Sequence, residues 1–544
     1  MWNTTFDEKN KVWKGNDLPS CDPNLSIASV ILNSLKSGGS EIAQSTTINF
    51  QINGTSGISV TFDDIRIRTI RAAKNLQKRG LSAKQIYGFV TKNHDDLASL
   101  VFASFSLGCT IYPIHPDFTK YEIVQKYQKI RPKVIFCDIG AYDIVVQSLT
   151  ELKHTATIFT FDGEKDGSEN VENLFEVVDD DTDITPVAVD GVNELAAIYC
   201  SSGTTGPSKG ICMSHSMLIN TIAASYDWKL GTKRVSLNVY PLQWFRSLHF
   251  LLAGTIYHAI RVIISEEYSP QRTFHLIGKY NVSRFMSSPI MLKTMIHSDS
   301  IKAANFSSLE NIILGGYRLP YEIGKIMDGF LPNGTVNNRY GLTELGGTVS
   351  IEVPKFSKGS AGKLKSGNVA KIVDENGKRL GVNEQGEICV KSMSMTSGYY
   401  QEELLTAKSF DEEGFFLTGD IGYFDEEGDL LIVDRKKDTF KYNGYVVSPS
   451  EIESVLLQSP QISMACVFST FDINGKEVPA VAIIRATNTN ITAEEISQLL
   501  SVHFYDRNIL AGGIYFVDSI PKTPSGKNLR RKMREIVLQL STEQ

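Results

Sequence analysis

Apolar and polar positions along the chain follow two rhythms. Through the first two-thirds, short apolar runs such as "QIYGFVT", "TIYPI" and "PKVIFCD" are separated by helix-length patterns, "DDLASLVFASFSLG" among them. Strand-length runs alternating with helical spacing predict mixed α/β layers with crossover connections. The longest apolar stretch, Leu248 to Ile260, is broken by His249, Gly254 and His258; it is too short for a bilayer span and predicts a buried helix. Near Asp425 the rhythm changes: "FDEEGDLLIVDR" and "DTFKYNGYVVS" read as strands joined by tight turns, with Asn443-Gly444 a hairpin signal. Ser448-Pro449-Ser450-Glu451 reads as a helix start, with a serine cap, a proline in the first turn and a glutamate three residues after the cap. "MACVFST", "VPAVAIIRA", "TAEEISQLLSVHF" and "GIYFVDS" follow as strand, strand, helix and strand, enough for a small α+β domain. The expected organisation is an α/β N-terminal domain over 1–434 with several subdomains and mixed sheets, a hinge over 435–438, and a C-terminal domain over 439–544. The boundary falls in "DRKKD", which is too polar to be core.

Composition narrows the partners. A chain of 544 residues with 42% hydrophobic and 21% charged positions is an ordinary globular protein large enough for more than one domain. Its 55 basic against 61 acidic residues give a formal charge of −6, so no overall basic field attracts nucleic acid or anionic lipid. Small molecules held in pockets are expected instead, with no integral membrane segment; nothing in the sequence sets an oligomeric state. The 7 cysteines stand singly, without CxxC pairs, and the 9 histidines show no metal-ligand spacing. Free thiols, an N-terminus without an apolar signal core and a C-terminus "LSTEQ" without a prenylation cysteine or S-K-L lead to a cytoplasmic expectation.

One stretch stands out chemically. "YCSSGTTGPSKG", Tyr199 to Gly210, lies between the strand-like "ELAAIYC" and a helical pattern with Ser214 as its cap. Backbone N–H groups of such a loop can converge on phosphate oxygens, with hydroxyls and Lys209 adding donors and charge. It is not a Walker A loop, because Gly203 and Gly206 are too close and Lys209 is followed by glycine. A plain surface loop stays open on this stretch alone. Cys200 beside it reads as a small strand residue rather than a nucleophile, with no histidine partner in view.

Three further stretches, "NNRYGLTELGG" (Asn337 to Gly347), "FFLTGDIGYFDEEGDLLIVDRKKDTFKYNGY" (Phe415 to Tyr445) and "PKTPSGK" (Pro521 to Lys527), follow the loop in order. Together they resemble the adenylate-forming superfamily of acyl-CoA synthetases, 4-coumarate-CoA ligases, insect luciferases and peptide-synthetase adenylation domains, with the nearest look to the luciferase-like acyl-CoA synthetases. The resemblance implies a two-step reaction. A carboxylate attacks the α-phosphate of ATP to give acyl-adenylate and pyrophosphate, and the thiol of CoA then takes the acyl group and releases AMP.

The resemblance also implies roles. Ser201, Ser202, Gly203, Thr204, Thr205, Gly206 and Lys209 would hold the β- and γ-phosphates, Thr343 the α-phosphate, and Glu344 a Mg²⁺ ion. Tyr340 and Asp420 would hold the nucleoside, Asp420 through both ribose hydroxyls, with Arg435 a second ribose or phosphate contact. Lys527 would stabilise charge on the α-phosphate, Lys437 or Asp438 would be the pivot, and Gly444 would let the pantetheine arm pass. Without the surrounding motif, Thr343-Glu344 would read as a helix cap and a surface acid, and Lys527 as one more cation of the exposed-looking "KNLRRKMRE".

The chain departs from the family pattern in places. Its loop reads Gly206-Pro207-Ser208-Lys209, with the proline displaced by one. Trp244, followed by Phe245, stands where many relatives carry a histidine beside the acyl site. Gly315-Gly316 is followed by Tyr317, where alanine is frequent, and Arg339 replaces a frequent glycine. These bulky residues should narrow the acyl pocket, and Arg339 either pairs with an acidic substrate or points to solvent. The leading expectation is an acid-thiol ligase acting on a fatty or aryl carboxylate. A luciferase-like monooxygenase and a catalytically weak nucleotide- or acyl-binding homologue are the alternatives.

Overall fold

A computed structural model describes residues 3–19, 21–38, 49–82, 84–200, 209–225, 235–316, 321–352, 360–442, 445–472, 476–501, 509–523 and 526–542. The α/β rhythm of the N-terminal two-thirds becomes two sheets with helices between them. In the first, the parallel strands Thr110–Ile114, Ile86–Val90, Val134–Asp138 and Thr157–Phe161 follow one another across the sheet. Leu195–Cys200 extends it at one side, followed by an antiparallel partner, Gly210–Ser214. In the second, Ile260–Ile263, Val235–Asn238, Arg284–Met286, Asn311–Leu314 and Thr335–Leu342 run parallel, and Gly347–Ile351 turns back on the last of them.

The helix Leu97–Ser106 is buried at every position, as an all-round apolar helix must be. It shares one core with the helices Ile27–Gly38, Phe62–Lys78, His215–Ala223 and Phe245–Ile256, through Ile31, Leu76, Leu100, Leu218 and Leu248. The last of these helices takes up most of the run expected to be buried. The predicted cap at Ser214 is present, its hydroxyl accepting from the Met217 N–H at 3.2 Å.

A third sheet is antiparallel and contains Asn368–Val373, Gly386–Ser392, Phe416–Phe424 and Leu430–Arg435, with Val12–Lys14 at its far side. Trp13 stacks on Phe6 and Phe424, with centroids 4.5 and 4.6 Å apart. Along Phe416–Phe424 burial alternates strictly, so Phe416, Thr418, Asp420, Gly422 and Phe424 all face inward. Period-two burial therefore puts one carboxylate among core positions, where it must be paired.

The C-terminal unit follows the expected order. The antiparallel strands Ile462–Phe471 and Glu477–Arg485, with Ile514–Phe516 parallel to the second, are covered on one face by the helices Pro449–Leu456 and Ala493–Ser501 and on the other by Arg530–Thr542. Ser448 caps the first helix by accepting from the Glu451 N–H at 3.3 Å, with Pro449 in its first turn. The hairpin arms Phe440–Tyr442 and Tyr445–Val447 pair; Asn443 and Gly444 lie outside the described residues.

Two expectations need correction. "DRKKD" is not wholly outside the core: Asp434 is buried, and it accepts hydrogen bonds from the Ser448 hydroxyl at 2.8 Å, the Ser450 N–H at 2.8 Å and the Ser450 hydroxyl at 3.0 Å. Its charge is tolerated because three donors replace water. Nor is "KNLRRKMRE" merely a solvated face. Arg530 forms a two-pronged pair with Glu453, whose Oε1 also accepts from the Val467 N–H at 2.7 Å, and the two side chains are only 15% and 12% exposed.

Removing one partner of such a buried pair strands the other charge. Glu453→Ala is expected to destabilise the C-terminal unit by about 3 kcal/mol, read as a lower urea midpoint for that transition, and Glu453→Gln by less.

Candidate active site

Two of the sheets and the C-terminal unit meet at Asp420. Its inward position is compensated from both sides. The neighbouring strand places Arg435 directly opposite, with Nε 2.6 Å from Asp420 Oδ1, and the Tyr340 hydroxyl donates to Oδ2 at 2.7 Å. Burial pushes the Asp420 carboxyl above its ordinary range, while Arg435 and Tyr340 pull it back. The result is a fixed carboxylate whose remaining lone pairs can accept hydroxyl donors.

Lys527 reaches the same place from the C-terminal unit. Thr523 and Lys527 are held to each other: the Thr523 N–H donates to the Lys527 carbonyl at 2.8 Å, and the Thr523 hydroxyl accepts from the Lys527 N–H at 3.1 Å. Gly526 takes φ +81°, a conformation that favours glycine. Burial first, and Arg435 next, push the Lys527 ammonium down to about 8, against the pull of Asp420 and Glu344. Outside the site, the unit is anchored by Lys293 of the helix Pro289–Ile296, which donates to the Ser463 carbonyl at 2.9 Å.

Thr343 and Glu344 open the 3-10 turn Thr343–Leu345 directly after the strand Thr335–Leu342. The Glu344 carbonyl accepts from the Thr396 N–H at 2.7 Å. Gly346 closes the turn at φ +74°, where a Cβ would fall 2.5 Å from Ser394 Cβ and 2.6 Å from Thr221 Oγ1. The Glu344 side chain accepts from the Tyr399 hydroxyl at 3.1 Å, and Lys209 Nζ stands 5.3 Å from the centroid of the same ring. Tyr399 thus connects the exit of the glycine loop to Glu344. Residues 398–400 also clamp the strand leaving the loop, with Tyr400 N–H to the Gly210 carbonyl at 2.7 Å and Cys212 N–H to the Gly398 carbonyl at 3.0 Å.

Trp244 and Phe245 begin the helix Phe245–Ile256. Trp244 is half-buried. The Phe245 ring lies edge-on to Tyr199 at 5.6 Å and would touch a Cβ on Gly347 at 3.4 Å. Gly315 and Gly316 follow the strand Asn311–Leu314, Gly316 with φ +107°. Arg339 is half-buried and close enough to Arg246 for the two charges to interact, so it does not simply point to solvent. Lys437 and Asp438 occupy the turn after Arg435, where the Asp438 N–H donates to the Arg435 carbonyl at 2.9 Å. Burial lowers the Lys437 ammonium, opposed by Asp438, and Lys209 adds to the lowering. Ser201, Ser202, Gly203, Thr204, Thr205, Gly206, Tyr317 and Gly444 lie outside the described residues.

The structure therefore gathers Lys209, Tyr340, Thr343, Glu344, Asp420, Arg435, Lys437 and Lys527 into one region drawn from both parts of the chain. Sequence reasoning missed Tyr399, Asp434 and Arg246. Tyr399 in "SGYY" carries no signal of its own, whereas the position of Asp434 before the Ser448 cap could have been found by asking what satisfies a polar hinge.

For a divalent cation, the donor set fits magnesium and not a soft metal. Glu344 offers a carboxylate beside the Thr343 hydroxyl, and the described residues contain no cluster of three or more His, Cys, Asp or Glu able to hold a metal unaided. Magnesium is commonly held by one or two carboxylates together with substrate phosphates.

The profile of the AMP-binding enzymes matches residues 43–400, and that of the AMP-binding enzyme C-terminal domain matches residues 451–527. The chain is 29% identical over 499 residues to 4-coumarate-CoA ligase 3 of Oryza sativa subsp. japonica, covering 89% of this chain and 88% of that protein. It is also 29% identical over 507 residues to 4-coumarate-CoA ligase CCL1 of Humulus lupulus, covering 91% of each. Among solved structures, the luciferase-like enzyme of the nonluminescent mealworm Zophobas morio is 26% identical with a TM-score of 0.73, covering 78% of this chain and 99% of that one. ATP-bound MatB of Rhodopseudomonas palustris shares the fold with a TM-score of 0.80 at 22% identity, covering 94% and 99%. With most of its length matched, the chain belongs to the AMP-binding enzyme family.

Proposed function

We propose that this protein is an AMP-forming acid-thiol ligase that activates a fatty or aryl carboxylate with ATP and passes the acyl group to CoA. The observation that carries this reading is the meeting of Lys527 with Asp420, Arg435 and Glu344. A buried cation beside a fixed carboxylate suits a reaction that builds negative charge on a phosphate. Similarity to 4-coumarate-CoA ligases supports CoA as the acceptor.

In this reading Asp420, held rigid by Arg435 and Tyr340, accepts both ribose hydroxyls and sets the α-phosphate in front of Thr343 and Lys527. The carboxylate of the substrate attacks the α-phosphorus, and the bond to pyrophosphate breaks. Lys209 and residues 201–206 hold the leaving phosphates. Glu344 and the Thr343 hydroxyl would hold Mg²⁺, which would supply charge neutralisation when bound. Residues 435–438 form the hinge: release of Lys527 from the site accompanies rotation of the C-terminal domain and opens the way for the thiol past Gly444. The thiolate then attacks the acyl carbon, forming the thioester and freeing AMP. A set of charged groups this complete favours catalysis over nucleotide storage.

Three outcomes test the reading. Lys527→Ala should lower acid-dependent pyrophosphate release by about 10²-fold or more, while transfer from supplied acyl-adenylate to CoA changes far less. Because burial pushes the ammonium down to about 8, adenylation should fall as pH rises through that value, and Lys527→Arg should move the fall to higher pH. Asp420→Ala should raise the KM for ATP at least about tenfold, the loss expected when hydrogen bonds to a charged group are removed. Undiminished adenylation by Lys527→Ala would show the mechanism to be wrong.

A further inference from the structure

Lys527 reaches the site only while the C-terminal unit sits against the rest of the chain, and one short helix supplies the seat. The helix Pro289–Ile296 follows the strand Arg284–Met286; Ser288 caps it by accepting from the Met291 N–H at 3.3 Å, and Pro289 stands in its first turn. Two tyrosines pin it from within. The Tyr240 hydroxyl donates to Met291 Sδ at 3.3 Å, and the Tyr268 hydroxyl donates to the Met291 carbonyl at 3.2 Å. Leu292 and Met295 are fully buried in the core beneath it. Close packing on that side makes the helix a rigid support.

The other side meets the C-terminal unit at two points. A Cβ on Gly526 would fall 3.1 Å from Ile290 Cδ1, so the residue before Lys527 lies against that side chain. Lys293 donates to the Ser463 carbonyl at 2.9 Å and stands 3.5 Å from the Ile462 carbonyl, at the start of the strand Ile462–Phe471. Ile290 and Lys293 are three residues apart and therefore share one helix face. Lys293 and Ser463 are 170 residues apart in the chain, so their contact lasts only while the unit keeps this position.

The grip is limited in strength. Its acceptors at Ser463 and Ile462 are neutral carbonyls, so this contact is a hydrogen bond from a cation and not an ion pair. Burial lowers the Lys293 ammonium from its ordinary value, and the charge of Lys522 lowers it further. Lys522 Nζ lies 3.4 Å from Met464 Sδ, beside the next residue of the same strand. A like charge so placed weakens the hold.

We propose that the helix Pro289–Ile296 is the seat of the C-terminal unit during adenylation, and that Lys293 is a positioning residue that keeps Lys527 in the site and lets go before the thiol step. The proposal rests on the ligase reading and adds the surface that the unit leaves between the two half-reactions. Lys293 acts on Lys527 through the C-terminal unit and not on the reacting atoms.

The two half-reactions separate this role from a merely structural one. Lys293→Met should lower kcat for acid-dependent pyrophosphate release by about tenfold, the loss expected for one hydrogen bond from a charged group. The KM for ATP should change little, because Tyr340, Asp420 and Arg435 stay in place. Transfer from supplied acyl-adenylate to CoA should be as fast as in the natural chain or faster, and Lys293→Arg, which keeps a cation, should restore adenylation. Undiminished adenylation in Lys293→Met, or both half-reactions slowed alike, overturns the proposal. The position of the unit is read independently from distances between spin labels on two exposed positions, Leu404→Cys and Glu494→Cys, with Cys21 and Cys200, which are not fully buried, replaced by serine. Lys293→Met should move part of the distance distribution away from that of the natural chain, and Lys293→Arg should not. If no acid releases pyrophosphate, the ligase reading fails instead. The distances then still decide the seat: a distribution moved by Lys293→Met sustains it, and an unchanged one overturns it.

Discussion

The site depends on one carboxylate facing the wrong way for its chemistry. Strand alternation in Phe416–Phe424 turns Asp420 inward, among Phe416 and Phe424. A buried carboxylate there is stable only with donors on both oxygens. Arg435 meets one oxygen across the strand pair, and Tyr340 meets the other from a different sheet. The compensation for one inward charge therefore fixes how two sheets meet. Because Arg435 ends its strand and a turn begins after it, the same pair anchors the chain where the C-terminal unit departs.

A second set of constraints runs through glycine and tyrosine. Gly346 permits the turn that presents Glu344 because a side chain would collide with Ser394 and Thr221. Tyr399 then ties Glu344 to the region of Lys209, while its neighbours hold the strand that leaves the glycine loop. Lys209, Glu344 and the strand Gly210–Ser214 are thus all tied to one short segment, 398–400. Asp434 does comparable work after the antiparallel sheet, joining the end of that sheet to the first helix of the C-terminal unit. A turn of that unit about residues 435–438 would have to break these bonds. Breaking them costs several hydrogen bonds to a charge at once.

Much was legible from the sequence because it is local. Caps at Ser214 and Ser448 act over three residues, the strand Leu195–Cys200 and the helix Phe245–Ile256 follow from runs and spacing, and the motif order carried the family. The hairpin turn at Asn443-Gly444 and most of the phosphate loop are legible in sequence and lie outside the described residues. What the tertiary structure decided are meetings between distant segments: Tyr340 with Asp420, 80 residues on, Tyr399 with Glu344, and Arg246 with Arg339 across Gly315. No periodicity encodes these, because hydrophobic pattern specifies which face a residue takes and not which partner it finds there. The partner is set by how the sheets pack, and by the rule that a charge turned inward must be met.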